Sequence, residues 1–171
     1  MKVNCSVLVF MAFCLQSCAP FEKISNANKK SEIIGLYSND CDSSSNSLRK
    51  MQQLWTIIDE SYKGKQLGLI VKIQETEKNK LIAELISQDS VLSKKIIKGH
   101  FKIDECYYKR RFFYIVPILP VLWWFENKQI RIYSYRNYLA LEEKYDTGGA
   151  IIIMAGGQNT NTTWFYKRLN N

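Results

Sequence analysis

Short runs of β-type residues separated by turn residues extend through most of this 171-residue chain and constrain its fold more than any other feature. The clearest run is Gln129–Tyr135, where Ile130 and Ile132 alternate with Arg131 and Tyr133 as on the two faces of a half-buried strand. Such strands need closure or a second sheet to bury their apolar faces. The sequence therefore predicts a mainly β fold of about eight to ten short strands, either a small antiparallel β-barrel or a β-sandwich.

Turn residues separate the predicted strands. They predict turns at Thr76–Lys80, Asn127-Lys128, Arg136-Asn137, Thr147–Gly149 and Gly156–Asn159. One segment leaves two alternatives open, because Leu48, Met51, Gln52 and Trp55 have helical spacing while Leu54–Ile58 also fits a strand. The remaining strands are predicted at Ile33–Ser38, Leu69–Ile73, Leu81–Ile86, Ile96–Ile103, Tyr107–Ile115, Val121–Glu126, Gln129–Tyr135, Tyr138–Glu143, Ala150–Ala155 and Thr162–Leu169.

The first eighteen residues have the organisation of an export signal. A basic start at Met1-Lys2 precedes an apolar run, Val7–Leu15, which is shorter than the roughly 20 residues that a spanning helix needs. The next residues, Leu15-Gln16-Ser17-Cys18, resemble the lipobox of bacterial lipoproteins. The resemblance implies that residues 1–17 are removed and that Cys18 is acylated, and two or more acyl chains give stable membrane anchoring.

Two further resemblances concern the cellular location and the fold of the protein. Ala19 follows the predicted anchor, and similarity to the sorting rule of enteric bacteria implies a place in the cell envelope at the outer membrane. Residues 18–32 are predicted to form a flexible tether, and residues 33–171 a single β-rich domain. Gly35-Leu36-Tyr37 resembles the Gly-x-Trp opening of lipocalins, with Tyr in place of Trp, which implies a ligand cavity.

Cysteine usage predicts one disulfide. Of the five cysteines, Cys5 and Cys14 would leave with the leader and Cys18 would carry lipid, so that Cys41 and Cys106 remain. An even pair in an oxidising compartment favours a Cys41–Cys106 bond. The alternative is two separate thiols, at least one of them buried.

The formal charge of +8 limits the partners of an exported chain. An anionic membrane surface, lipopolysaccharide phosphates or an acidic protein suit this charge and compartment better than nucleic acid. A basic surface that serves solubility alone is the alternative.

The most unusual stretch places three cations, Lys109–Arg111, before fourteen apolar or aromatic residues, Phe112–Phe125. Its length and its prolines, Pro117 and Pro120, exclude a spanning helix. One alternative is an apolar region that meets lipid, an envelope protein or an apolar ligand; the other is two buried strands joined by a turn. The candidate surface residues are Arg110, Arg111, Phe112, Phe113, Trp123, Trp124 and Phe125.

Catalytic motifs are lacking in this sequence. His100 is the single histidine, no Gly-x-Ser-x-Gly elbow is present, and no cofactor or metal site is predicted. The sequence therefore predicts a membrane-anchored envelope lipoprotein with a non-enzymatic binding or structural role. The alternatives are an inhibitor or immunity-type lipoprotein that blocks an acidic envelope partner and, less favoured, a cell-wall or lipid hydrolase.

Overall fold

The computed structural model describes residues 21, 30–46, 51–64, 66–76, 80–88, 90–102, 107–115, 122–151 and 154–169. A 3₁₀ turn at Lys30–Ile33 and one short helix, α1 (Leu54–Ile58), accompany the strands. The strands are β1 (Gly35–Ser38), β2 (Ser43–Ser44), β3 (Ile70–Glu75), β4 (Leu81–Ser87), β5 (Ser90–Ile97), β6 (His100–Phe101), β7 (Tyr107–Ile115), β8 (Leu122–Tyr135), β9 (Tyr138–Ile151) and β10 (Met154–Leu169). The prediction of a mainly β fold is confirmed.

The strands form one ten-stranded antiparallel sheet in the order β5-β4-β3-β1-β10-β9-β8-β7-β6, with β2 paired to β10. The sheet curls, so that strands near its two ends meet: the hydroxyl of Tyr107 in β7 donates to the carbonyl oxygen of Ile97 in β5 at 2.7 Å. The described strands nevertheless leave the sheet open rather than closed into a barrel. The two edge strands of the described sheet are β5 and β6, which only Lys98 and Gly99 separate in the chain. They do not pair with each other, because β5 pairs with β4 and β6 pairs with β7.

The predicted strand Ile96–Ile103 is thus divided in two, and its first part begins earlier, at Ser90. Gly99 lies at the division, where a Cβ atom would come within 2.3 Å of the carbonyl oxygen of Tyr108. Only glycine lets the chain pass this close to β7.

Large side chains fill the concave side of the sheet. Trp55, Trp164, Tyr107 and Tyr166 are fully buried there. Tyr37, in the segment that resembles the lipocalin opening, is also fully buried, and its hydroxyl donates to the carbonyl oxygen of Ile33 at 2.9 Å. This tyrosine therefore holds the 3₁₀ turn on the sheet.

The helix α1 packs into this core through four of its five residues, Leu54, Trp55, Ile57 and Ile58. Its first turn is fixed by Asn39, whose carbonyl oxygen accepts from the backbone N–H of Leu54 and whose Oδ1 accepts from that of Trp55, both at 2.8 Å. The helical alternative is therefore confirmed for Leu54–Ile58.

Three predicted turns in the second half of the chain are wrong. Asn127-Lys128 lies inside β8, Thr147–Gly149 inside β9 and Gly156–Asn159 inside β10, so these strands reach 14 to 16 residues. Cross-strand packing explains one case, because the ring of Phe125 occupies the space above Gly148, where a Cβ atom would lie 2.4 Å from it. The turn at Arg136-Asn137 is confirmed, with Arg136 at φ 54°.

Candidate functional site: an aromatic hairpin end and a cationic cleft

The ends of β7 and β8 lie beyond the core and carry aromatic residues on both faces. Phe113 is opposite Glu126 in the register, so Trp124, two residues away, is its diagonal neighbour on the same face. Phe112 and Phe125 form the corresponding diagonal pair on the other face. These four residues, Phe112, Phe113, Trp124 and Phe125, are called the aromatic end below.

Three of the four side chains face solvent to an unusual degree. The exposed fractions are 54% for Phe112, 53% for Phe113 and 47% for Trp124, while Phe125 is half-buried. The segment is strand, as the alternative of two joined strands expected, but three of its rings are exposed and not buried. The binding role of this surface stays a prediction. Trp123 lies in β8 opposite Ala150, and the predicted Pro117 and Pro120 connection lies outside the described residues.

Two arginines precede the aromatic end, one on each face of β7. Arg110 donates through Nε to Oδ1 of Asn127 at 3.1 Å, and its guanidinium lies 5.6 Å from the ring centre of Phe112. Arg111 donates through Nη1 to Oε2 of Glu60 at 3.2 Å. The predicted surface residues are therefore brought together, but they are shared between two faces.

A cleft of about 330 Å³ opens beside Arg111, on the face that also carries Phe113 and Trp124. Its apolar floor comes from the buried Ile58 and Ile130, and the exposed Ile96 also lines it. Asp59, Glu60 and Ser61 supply a polar wall after α1. Five cationic side chains line it, and together they are called the cationic cleft: Lys95, Lys98, Lys109, Arg111 and Lys128.

The curl of the sheet assembles this cleft from distant parts of the chain. Lys95 comes from β5, Lys109 and Arg111 from β7, and Lys128 from β8. Lys109 and Arg111 are two residues apart and so share a face of their strand, which is the one signal that the sequence offers. The cleft could not be predicted from the sequence, because nothing in the spacing of its residues indicates that β5 returns to β7.

Two carboxylates already neutralise part of the cleft. Asp59 pairs with Lys95, and hydrogen bonds from Lys95 and Ser61 hold the pKa of Asp59 at about 2. Glu60 bridges Arg111 and Lys128, at 3.2 and 3.4 Å. Burial raises the pKa of Glu60, but the charge and hydrogen bond of Lys128, with further cations, outweigh it and leave the pKa below its ordinary value.

Lys109 is a half-buried cation of the cleft. Burial lowers its pKa, and the nearby charges of Lys128, Lys95 and Arg111 lower it further, against the opposing effect of Glu60. Within the described parts of the chain, Lys109 makes no ion pair closer than 4 Å. The cleft therefore contains positive charge that its own carboxylates do not match.

One cysteine of the predicted disulfide lies within the described residues. Cys41 is a free thiol whose Sγ lies 3.2 Å from the carbonyl oxygen of Ser43, and burial raises its pKa. Cys106 and the predicted lipidation site, Cys18, lie outside the described residues. The Cys41–Cys106 bond and the acylation both stay predictions.

Comparison with protein-family models, with curated proteins and with solved structures gave no match for this chain. No helix in the described ranges has the length and apolar character required to cross a membrane. Among those same ranges, no three His, Cys, Asp or Glu side chains gather in a way that could hold a metal ion. His100, exposed on β6, lies opposite Tyr108.

Proposed function

We propose that this chain is a lipid-anchored protein of the cell envelope, and that its β domain is a non-catalytic binding module whose aromatic end rests on a bilayer surface. The observation that carries the proposal is the exposure of Phe112, Phe113 and Trp124 on both faces of one hairpin. A core-forming strand pair needs only one apolar face.

The free energy that burial of the exposed rings would release supports a binding partner for the aromatic end. Burying one Phe or Trp side chain contributes about 1.5–3 kcal/mol, so three half-exposed rings leave several kcal/mol unrealised. Contiguous exposed apolar residues of this kind mark interaction sites in soluble domains.

The chemistry of the neighbouring residues favours a bilayer over a purely apolar ligand. Arg110 and Arg111 precede the rings, and aromatic residues flanked by cations suit the boundary between headgroups and acyl chains. The lipobox resemblance at Leu15–Cys18 supports the same location, since a lipid anchor would hold the domain next to that boundary.

Photo-crosslinking in vesicles tests the bilayer contact. The acylated full chain is reconstituted with a lipid that carries a photoactivatable group near its headgroup, and crosslinked peptides are mapped by mass spectrometry. We expect crosslinks at residues 112–113 and 124–125, and their loss in the combined variant Phe112→Ser, Phe113→Ser and Trp124→Ser.

The matched control removes two equally exposed apolar side chains elsewhere, Val91→Ser with Leu92→Ser on β5, which are 56% and 50% exposed. This control should keep the crosslinks. Even labelling of the whole domain, or crosslinks that survive the triple substitution, would overturn the proposal. Crosslinking of the aromatic end to an envelope protein in whole envelopes, with none to lipid, would also overturn it.

The anchor has its own test. Cells that produce the chain are grown with a labelled fatty acid, and the label should appear in the wild-type protein and not in Cys18→Ser. An unlabelled wild-type product that retains residues 1–17 would show that the chain is not a lipoprotein.

A further inference from the structure

The charges of the cationic cleft do not balance. Five cations and two carboxylates line it, and the buried Glu143 reaches it only through an ion pair of 3.1 Å with Lys128. Like charges opposite each other in a sheet repel, and Arg111 and Lys128 are direct cross-strand neighbours whose charges Glu60 bridges.

Two cations remain after the internal pairs are assigned. Asp59 takes Lys95, and Glu60 takes both Arg111 and Lys128. Lys98 and Lys109 form no ion pair with any residue in the described ranges. Both line the same recess.

We propose that the cationic cleft is a binding site for a phosphate group, held by Lys98, Lys109 and Arg111. A phosphate monoester or diphosphate carries more than one negative charge and several acceptor oxygens, which suits a recess with three more cations than carboxylates. Lysines bind phosphate as point charges, and an arginine adds paired donors. The buried side chains of Ile58 and Ile130 strengthen these interactions by limiting water on one side of the recess.

Glu60 has a defined part in this site. It pairs with Arg111 and Lys128, and its negative charge opposes the binding of an anion in the cleft. The proposal therefore predicts effects of opposite sign for two neighbouring changes: loss of Lys109 weakens binding, and neutralisation of Glu60 strengthens it. A role of these residues in folding alone would not produce this pair of results.

Calorimetric titration with pyrophosphate tests the site in the full chain, solubilised in a neutral detergent. Lys109→Met should weaken binding roughly tenfold, the size of one lost charge-assisted hydrogen bond, and Lys98→Met should do the same at an exposed position that is not needed for folding. Glu60→Gln should tighten binding by a similar factor.

The control is Lys167→Met on β10, which removes one exposed charge outside the cleft and should leave the affinity unchanged. Thermal unfolding, measured with and without pyrophosphate, verifies that each variant folds and that the ligand raises the midpoint. The proposal is overturned if wild type does not bind pyrophosphate, if Lys167→Met weakens binding as much as Lys109→Met, or if Glu60→Gln weakens it.

The source of the phosphate is decided by competition. Micelles doped with phosphatidic acid, whose headgroup is a phosphate monoester, should displace pyrophosphate if the natural ligand is a lipid phosphate, whereas micelles of phosphatidylcholine alone should not. Retained pyrophosphate binding assigns the site to a soluble phosphorylated compound instead. The site does not depend on the aromatic end, because the serine variants of Phe112, Phe113 and Trp124 leave all five cations in place.

Discussion

The two halves of the β8 strand show how one strand can serve a core and a surface. In the half near the core, Ile130 and Ile132 are buried on the concave face, and Arg131 is buried on the opposite face. In the other half, Trp124 is exposed on the concave-side face and Phe125 is half-buried on the opposite one. The first half is buried on both faces, with Ile130 and Ile132 in the core and Tyr133 in a smaller cluster on the opposite face, and it builds the fold. The second half exposes its aromatic residues and is suited to binding.

The pairing of charged side chains also differs between the convex face of the sheet and the cationic cleft. On the convex face, Nε of Arg131 donates to Oε2 of Glu142 at 2.9 Å, and Asn161 donates to Oε1 of Glu142 at 3.0 Å. The guanidinium of Arg131 further lies 4.6 Å from the ring centre of Phe21, a residue of the predicted tether. Arg131 and Glu142 are matched as partners here, whereas cations exceed carboxylates in the cationic cleft, so of these two regions the cleft is the one with charge to offer a ligand.

The largest effect is expected from the core. Trp164 is fully buried opposite Leu141, and Trp164→Ala should lower the free energy of unfolding by about 3–5 kcal/mol, because the cavity that the substitution leaves cannot fully collapse. Trp124→Ala should cost well under 1 kcal/mol, since the side chain is half exposed. Urea denaturation of both variants measures this difference, and equal losses would remove the distinction between the two regions.

Substitution in the buried Arg131–Glu142 pair on the convex face should reduce the free energy of unfolding less than Trp164→Ala does. Glu142→Gln keeps one acceptor oxygen but removes the charge that Arg131 needs, so we expect a loss of about 1.5–3 kcal/mol. Replacing both residues, Arg131→Met with Glu142→Leu, should restore most of this loss. A double variant that is less stable than Glu142→Gln in denaturant melts would mean that the pair is a net source of stability.

A single hydroxyl tests the curl of the sheet. The Tyr107 hydroxyl donates to the carbonyl oxygen of Ile97 and accepts from the backbone N–H of Leu81 at 3.5 Å, and it thereby joins β7 to β5 and β4. Tyr107→Phe should cost about 1 kcal/mol. It should also increase amide exchange in β5, measured by mass spectrometry, and unchanged exchange there would show that the hydroxyl does not hold the two edges together.

The smallest effect concerns acid stability. The pKa of Asp59 is about 2 in the folded chain and below its ordinary value of 3.8, so its pair with Lys95 stabilises the fold above pH 4. This contribution is lost as the pH falls through 2. Wild type should exceed Asp59→Asn by about 0.5 kcal/mol at neutral pH and converge with it in acid, and a constant difference across this range would exclude the charge as its cause.

Sequence patterns predicted the parts of this fold that depend on local chemistry. Alternation identified the core half of β8 through Ile130 and Ile132, and the Arg136-Asn137 turn was recognised from its residues. The longer strands were missed because Gly148-Gly149 and Gly156-Gly157 indicate turns locally, whereas pairing across three strands and the ring of Phe125 keep them extended.

The two candidate sites also differ in how much of each could be predicted from the sequence. The aromatic end is contiguous in each strand, so its residues could be named from the sequence, but their exposure could not. The cationic cleft depends on the return of β5 to β7, and Lys95 and Lys98 lie more than ten residues from Lys109 in the chain. No local pattern carries that information.

Hydrogen exchange of the acylated full chain tests the central claim most directly, by comparing vesicles of phosphatidylcholine and phosphatidylglycerol with neutral detergent. The proposed contact predicts slower exchange in vesicles at residues 109–115 and 122–126, with no change in β3 and β4 (residues 70–75 and 81–87). Equal exchange at the aromatic end in both environments, or protection that is greater in β3 and β4, would contradict it.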